Sequence, residues 1–158
     1  MGTYLTTDAF YYRIRAAIEN AESDIDLAYF VINNRPDRTT NPASVIFHRL
    51  ADAAARRVDV KLLIPAFNHV RTNRGPAIEL ARRGLTVRTM PHHIPLHLKF
   101  AMVDRAVLFV GSQNLCRKSF QRNLEAAAEI RDPASLIDGH QDFMGWWASG
   151  RVVRMGPL

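Results

Sequence analysis

Cysteine is almost absent from this chain: Cys116 is the one thiol in 158 residues, so no disulfide can close within it. Neither a CxxC pair nor a cysteine-rich metal cluster is possible for the same reason. Lysine is also scarce, with Lys61, Lys99 and Lys118 set against eighteen arginines. No window approaches the roughly 18 consecutive apolar residues that a membrane-spanning helix needs. The start, MGTYLTTDAFYYRIRAAIENAESD, has no charged segment leading into an apolar run and a small-residue cleavage site. Neither export nor membrane spanning is therefore expected, and a reducing, cytoplasmic setting fits.

What is present has the balance of an ordinary globular protein, 47% hydrophobic and 23% charged. The length supports one hydrophobic core without staples, and one domain over residues 1–158 is expected. The formal charge of +6 favours polyanionic partners, nucleic acid first and anionic phospholipid second. Genomic base usage also enriches arginine, so charge alone does not choose a function.

Phe10, Ile14, Ala17 and Ile18 recur at helical spacing behind Thr7 and Asp8, predicting a helix over 7–21, and IDLAYFVI (25–32) reads as a strand. A polar loop (33–42), a helix (43–56) and the strand VDVKLLI (58–64) follow. After a second loop (65–75), PAIELARR (76–83) is a helix with proline in its first turn and Gly84 as a left-handed stop. Strands are predicted at 85–89, 97–103, 106–110 and 124–131, with a turn at Asp104 and Arg105. The last helix, 133–149, places Leu136, Phe143 and Trp147 on one side to pack on the sheet, and Trp146 and Trp147 read as packing residues rather than base-stacking platforms. The alternation predicts an α/β fold: a mixed, mostly parallel sheet with helices on both faces and some antiparallel pairing at 97–110.

One strand carries unusual chemistry. Side chains alternate along it, so His97 and Lys99 project to one side while Leu98, Phe100 and Met102 face the other. An ammonium within an apolar strand is costly unless an anion lies nearby. The next strand ends in Gly111-Ser112-Gln113-Asn114, a turn that aims small polar groups and backbone N–H groups at one place, as an anionic oxygen requires.

The pattern H-x-K-x4-D at His97, Lys99 and Asp104, followed by G-S-x-N at 111–114, resembles the phospholipase D superfamily and its HKD motif. For this composition the chance expectation of H-x-K-x4-D alone is roughly 0.007. Ser119, Asn123 and Glu125 in SFQRNLEAAAEI match the superfamily's S-x3-N-x-E segment, and the resemblance, to a half-domain of that fold, runs over nearly the whole chain. It implies that His97 attacks phosphorus to form a phosphohistidine while Lys99 and Asn114 hold the non-bridging oxygens and Ser112 adds a hydrogen bond. Glu125 is expected to accept from the other ring nitrogen of His97, and Asp104 to act mainly by tying down the strand end.

The resemblance further implies a second histidine as acid for the leaving group. One motif per chain then predicts a homodimer with His97 supplied by each copy, and chemistry that requires no metal or other cofactor. His92, His93 and His97 lack the carboxylate or thiol that would complete a recognisable ligand set. Arg71 and Arg74, with His69, are candidates for guiding a phosphate backbone, solvated charge being the competing reading. The favoured reading is a nuclease for DNA or RNA like the single-motif bacterial endonucleases. The alternatives are phospholipid headgroup hydrolysis or phosphatidyl transfer, because GSQNLCRKSF also resembles the GSxNxxxRS run of cardiolipin synthases, and a catalytically silent nucleic-acid-binding module. The run departs from that pattern at Cys116, Arg117 and Lys118, and those synthases normally carry two motifs.

Overall fold

A computed structural model of the chain describes residues 2–33 and 41–154, so the predicted loop at 33–42 lies largely outside the described residues. Strand β1 (Gly2–Thr6) leads into helix α1 (Thr7–Glu19), whose first turn is capped by the Thr6 side chain accepting from the Ala9 N–H. Strands β2 (Asp24–Tyr29) and β3 (Ile32–Asn33) precede helix α2 (Pro42–Ala55). Strand β4 (Asp59–Ile64), a 3-10 turn at Arg71–Asn73, helix α3 (Arg74–Arg82) and strand β5 (Thr86–Thr89) follow. Strands β6 (Lys99–Val103), β7 (Val107–Gly111) and β8 (Leu115–Cys116) lead to the short helix α4 (Arg117–Gln121). Strand β9 (Ala126–Ile130), helix α5 (Pro133–Ser149) and strand β10 (Arg151–Val152) complete the described chain.

Eight strands form one sheet in the order β1-β9-β7-β6-β2-β4-β5-β10, and β3 pairs with β8 in a small second sheet. The predicted mixed sheet with helices on both faces is present, but its parallel majority is not. Only β2 with β4 and β4 with β5 are parallel in the large sheet, and its other five pairings are antiparallel. The reason is connection length. A parallel neighbour needs a crossover of a dozen residues or more, which the segments holding α2 and α3 supply, whereas β6 and β7 are joined by a tight turn. In that turn Asp104 and Arg105 both have positive φ (52° and 51°), and the Ala106 N–H donates to the Val103 carbonyl.

The two sheet faces are buried by different helices. Ile25, Leu27, Ala101 and Phe109 share a core with Ile14 and Ile18 of α1 and Ile46 and Leu50 of α2. On the opposite face Phe100, Met102 and Leu108 pack against Leu136, Phe143 and Trp147 of α5, the side of the helix expected to meet the sheet. Each fully buried side chain of this size contributes about 1.5–3 kcal/mol. Beneath α5, Asp26 is almost wholly buried (1% exposed) between Lys61 at 3.7 Å and His140 at 3.4 Å. Burial pushes the Asp26 carboxyl up, against the pull of Lys61 and His140.

Candidate active site

Lys99 opens β6, paired with Tyr29, and the Phe30 N–H reaches back to the Leu98 carbonyl at 2.9 Å. His97 stands just before the strand, so its ring is exposed rather than packed in the sheet. It rests instead on Phe30, with ring centroids 4.5 Å apart and an interplanar angle of 52°. Lys99 Nζ donates to the His97 carbonyl at 2.9 Å and lies 3.1 and 3.2 Å from Nδ1 and Nε2 of the same ring. It also sits 5.2 Å from the centre of the Phe30 ring. Lys99 Nζ is thus nearly equidistant from the two ring nitrogens, and neither is singled out as its partner.

Asn114 comes to this region through the small sheet. Its Oδ1 accepts the Val31 N–H at 3.0 Å, one residue beyond Phe30, and its own backbone N–H donates to the buried Ser119 hydroxyl at 3.0 Å. With Oδ1 committed to the backbone, the Nδ2 group is the end left to donate to an anion. Glu125 lies before β9, across from Ser112 at the end of β7, and accepts from the Ser112 hydroxyl and from Asn123 Nδ2 at 3.0 Å.

The electrostatics join the two halves. Burial pulls the Lys99 ammonium below the usual lysine value, opposed by the charge of Glu125. Burial pushes the Glu125 carboxyl up, but hydrogen bonds from Ser112, Asn123 and Ser119, together with the Lys99 charge, outweigh it and hold the group below the ordinary glutamate range. The site thus pairs an ionised carboxylate with an ammonium that is easier to deprotonate than a free lysine.

Among the described residues Glu125 accepts from Ser112 and Asn123, and no hydrogen bond joins it to His97. The Ser112 hydroxyl donates to Glu125 and so braces the carboxylate. Asp104 lies at the far end of β6, about 17 Å from Lys99 at strand rise, outside the cluster. There it accepts from the backbone N–H groups of Glu22, Ser23 and Asp24 and from the Ser23 hydroxyl, at 2.8–3.2 Å.

Asp104 therefore joins the β6–β7 turn to the start of β2. Burial pushes its carboxyl up, but the donors at Ser23, Glu22 and Asp24 prevail and hold it below the usual aspartate range. A folded-state value below the unfolded one stabilises the fold above roughly pH 4, and this is lost as pH falls through the folded value. Asp104→Asn is expected to cost about 1 kcal/mol at pH 7, a modest amount because the carboxylate is partly hydrated. Urea unfolding from pH 7 to pH 2 checks this: the gap between variant and parent must close toward pH 2.

Arg71 and Arg74 are exposed, at the 3-10 turn and the start of α3. Their segment is tied to the His97 side by Asn73, wholly buried, whose Oδ1 accepts from the Ile32 N–H and whose Nδ2 donates to the Phe30 carbonyl, both at 2.9 Å. Sequence reasoning missed both Asn73 and Phe30. Asn73 looks like any asparagine in a polar loop, and Phe30 like one more apolar strand residue. The other nearby carboxylate, Glu129, is engaged by Arg13 and Arg131, each at 2.7 Å. Trp147 lies in the α5 core under the Arg88 guanidinium, 4.5 Å from the ring centre.

A mixed sheet sandwiched by helices, with the His97–Lys99 end of β6 next to the GSxN turn that follows β7, is the arrangement of a phospholipase D-type fold. The chain belongs to the phospholipase D superfamily: the family described as "Cardiolipin synthase, PLD-like domain" matches residues 14–147. Cardiolipin synthase A of Pseudomonas aeruginosa is 39% identical over 89 residues, covering 53% of this chain and 18% of that protein. The 5'-3' exonuclease PLD3 of Xenopus laevis is 27% identical over 143 residues, covering 84% of this chain and 29% of that protein. The chain thus spans less than a third of the length of these relatives. Among solved structures, the phospholipase D family member Nuc from Salmonella typhimurium superposes with a TM-score of 0.80 at 24% identity, over 98% of this chain and 97% of Nuc. NucT from Helicobacter pylori gives 0.78 at 14% identity, over 97% and 99%. Among the described residues no helix is long and apolar enough to cross a membrane.

Proposed function

We propose that this chain is a phosphodiesterase, a nuclease acting on DNA or RNA, that works as one domain in a homodimer in a cytoplasmic setting. The observation that supports it most is the ammonium of Lys99 at 3.1 and 3.2 Å from the ring nitrogens of an exposed His97, with Asn114 anchored at Val31, next to the Phe30 that carries the ring. A phosphate group inserted there meets a nucleophile, a cation and a neutral donor together.

In the proposed reaction a ring nitrogen of His97 gives its lone pair to phosphorus, and the P–N bond forms as the bond to the leaving oxygen breaks. Lys99 and Asn114 stabilise the charge that builds on the non-bridging oxygens. The leaving alkoxide takes a proton from His97 of the partner subunit. That ring, now neutral, takes a proton from water as the water oxygen attacks phosphorus, and the P–N bond breaks to release His97. Glu125, fixed by Ser112 and Asn123, balances the charge of Lys99. Every step uses groups of the protein, so turnover is expected to persist in EDTA.

The nuclease reading draws on the basic surface and on the near-complete two-way coverage of Nuc and NucT. Headgroup hydrolysis or phosphatidyl transfer is the second reading, favoured by the stretch shared with cardiolipin synthase A. Plasmid, single-stranded DNA, RNA and phospholipid, each incubated in EDTA, separate them. Cleavage of nucleic acid supports the first reading, lipid turnover the second, and salt-sensitive binding without turnover indicates a silent binding module.

Dimerisation has its own test. Wild-type and His97→Ala subunits are unfolded, mixed and refolded together, and activity is read against the wild-type fraction. If both histidines are needed, activity follows the square of that fraction, about a quarter at equal mixing. A linear fall, or an active species sedimenting as a 17.9 kDa monomer, rules out the shared site.

A further inference from the structure

A cleft of about 560 Å³ opens beside Asn114, and neither His97 nor Lys99 is among its lining residues. This is within the range of small-molecule sites. Its walls include Asn33 of β3, the buried Asn41 before α2, and Arg117, Lys118 and Arg122 at the two ends of α4. Among the described residues no carboxylate lines it. Arg117 holds Gln121 at 2.7 Å, while Lys118 and Arg122 have neither an ion pair nor a side-chain hydrogen bond among the described residues. Three cationic side chains thus line a concave space with asparagine amides and, among the described residues, no counter-charge.

That arrangement suits an anion with several acceptor oxygens. We infer that the cleft is a subsite for a second phosphate of the substrate, adjacent to the phosphate that is cleaved. Asn114 is the shared wall. The first phosphate meets its amide from the His97 side, and the second lies in the cleft between Arg117, Lys118 and Arg122. The inference rests on the phosphodiesterase reading and narrows the substrate class to molecules carrying two neighbouring phosphates. A nucleic acid strand offers that chemistry, and so does the headgroup of a diphosphate lipid such as cardiolipin.

The test measures binding, so it does not depend on turnover. Fluorescence anisotropy with His97→Ala protein compares a labelled trinucleotide carrying two phosphates with one whose second linkage is a neutral methylphosphonate. A second arm compares cardiolipin with phosphatidylglycerol in detergent micelles. At least one two-phosphate ligand is expected to bind about tenfold more tightly than its one-phosphate counterpart. Added to His97→Ala, the substitutions Arg117→Gln, Lys118→Gln and Arg122→Gln are expected to remove that preference without changing the melting temperature. Preference in the first arm alone assigns a strand phosphate, in the second alone a lipid headgroup, and in both the shared chemistry.

Equal binding of the paired ligands in both arms overturns the subsite, as does a preference that survives the three substitutions. A preference lost with those substitutions, in a wild-type protein that turns over neither substrate, keeps the subsite and removes the phosphodiesterase reading.

Discussion

His97→Ala is expected to lower phosphodiester turnover at least a thousandfold while leaving the fold intact. The ring is exposed, and its main packing partner is the half-exposed Phe30, so its loss leaves no buried cavity. Removing a nucleophile abolishes the covalent route and leaves only the stabilisation that positioned donors give a direct attack by water. Lys99→Ala, which removes one stabilising donor, is expected to cost less, about 10²- to 10³-fold. Initial rates on a phosphodiester in EDTA and an acid-quenched search for phosphorylated protein check both variants. An active His97→Ala protein, or wild-type enzyme with no trapped intermediate at any stage of the burst, counts against the covalent mechanism.

Gly111→Ala is expected to destabilise the protein by about 3 kcal/mol, lowering the melting temperature by roughly 6–12 °C, and to abolish activity. A Cβ at Gly111 meets the Ala127 Cα at 2.7 Å and the Ala126 carbonyl oxygen at 2.5 Å. Both are backbone atoms of β9, and Gly111 is paired with Ala127, so relief requires the two strands to part. Parting them moves Ser112 away from Glu125, which removes the brace on the carboxylate. Gly139→Ala is the control, because its Cβ meets the ends of the Leu108 and Met102 side chains at 3.1 Å, which can turn aside, and the Phe100 ring at an ordinary 3.7 Å. Calorimetry on both variants must separate them, and equal melting temperatures would show that the close approach at Gly111 is not a constraint.

The alternation of helices and strands was legible because its periodic segments are long. Helix α5 was read at 133–149 and is found at Pro133–Ser149, since Leu136, Phe143 and Trp147 form an unbroken apolar stripe. Short edge elements were not legible. Strand β1 has only Leu5 buried and gains its place by pairing with β9, a partner more than a hundred residues away. Strands β3, β8 and β10 have two residues each, too few for a pattern. The pairing majority was misjudged for the same reason, because alternation along a strand says which face a side chain takes but not which way its neighbour runs.

The sequence by itself determined that a histidine and a lysine stand two residues apart at the start of a strand, that a GSxN turn follows the next strand, and that a carboxylate lies at the entry to the one after it. Those are consequences of side-chain alternation and of local turn chemistry, both fixed within a few residues. Only the tertiary structure decided what each group touches: Glu125 bonds to Ser112 and Asn123, Asp104 serves the opposite end of the sheet, and Asn73 fastens the loop behind Phe30. Such contacts join residues dozens of positions apart, and they depend on strand order, which no local pattern encodes.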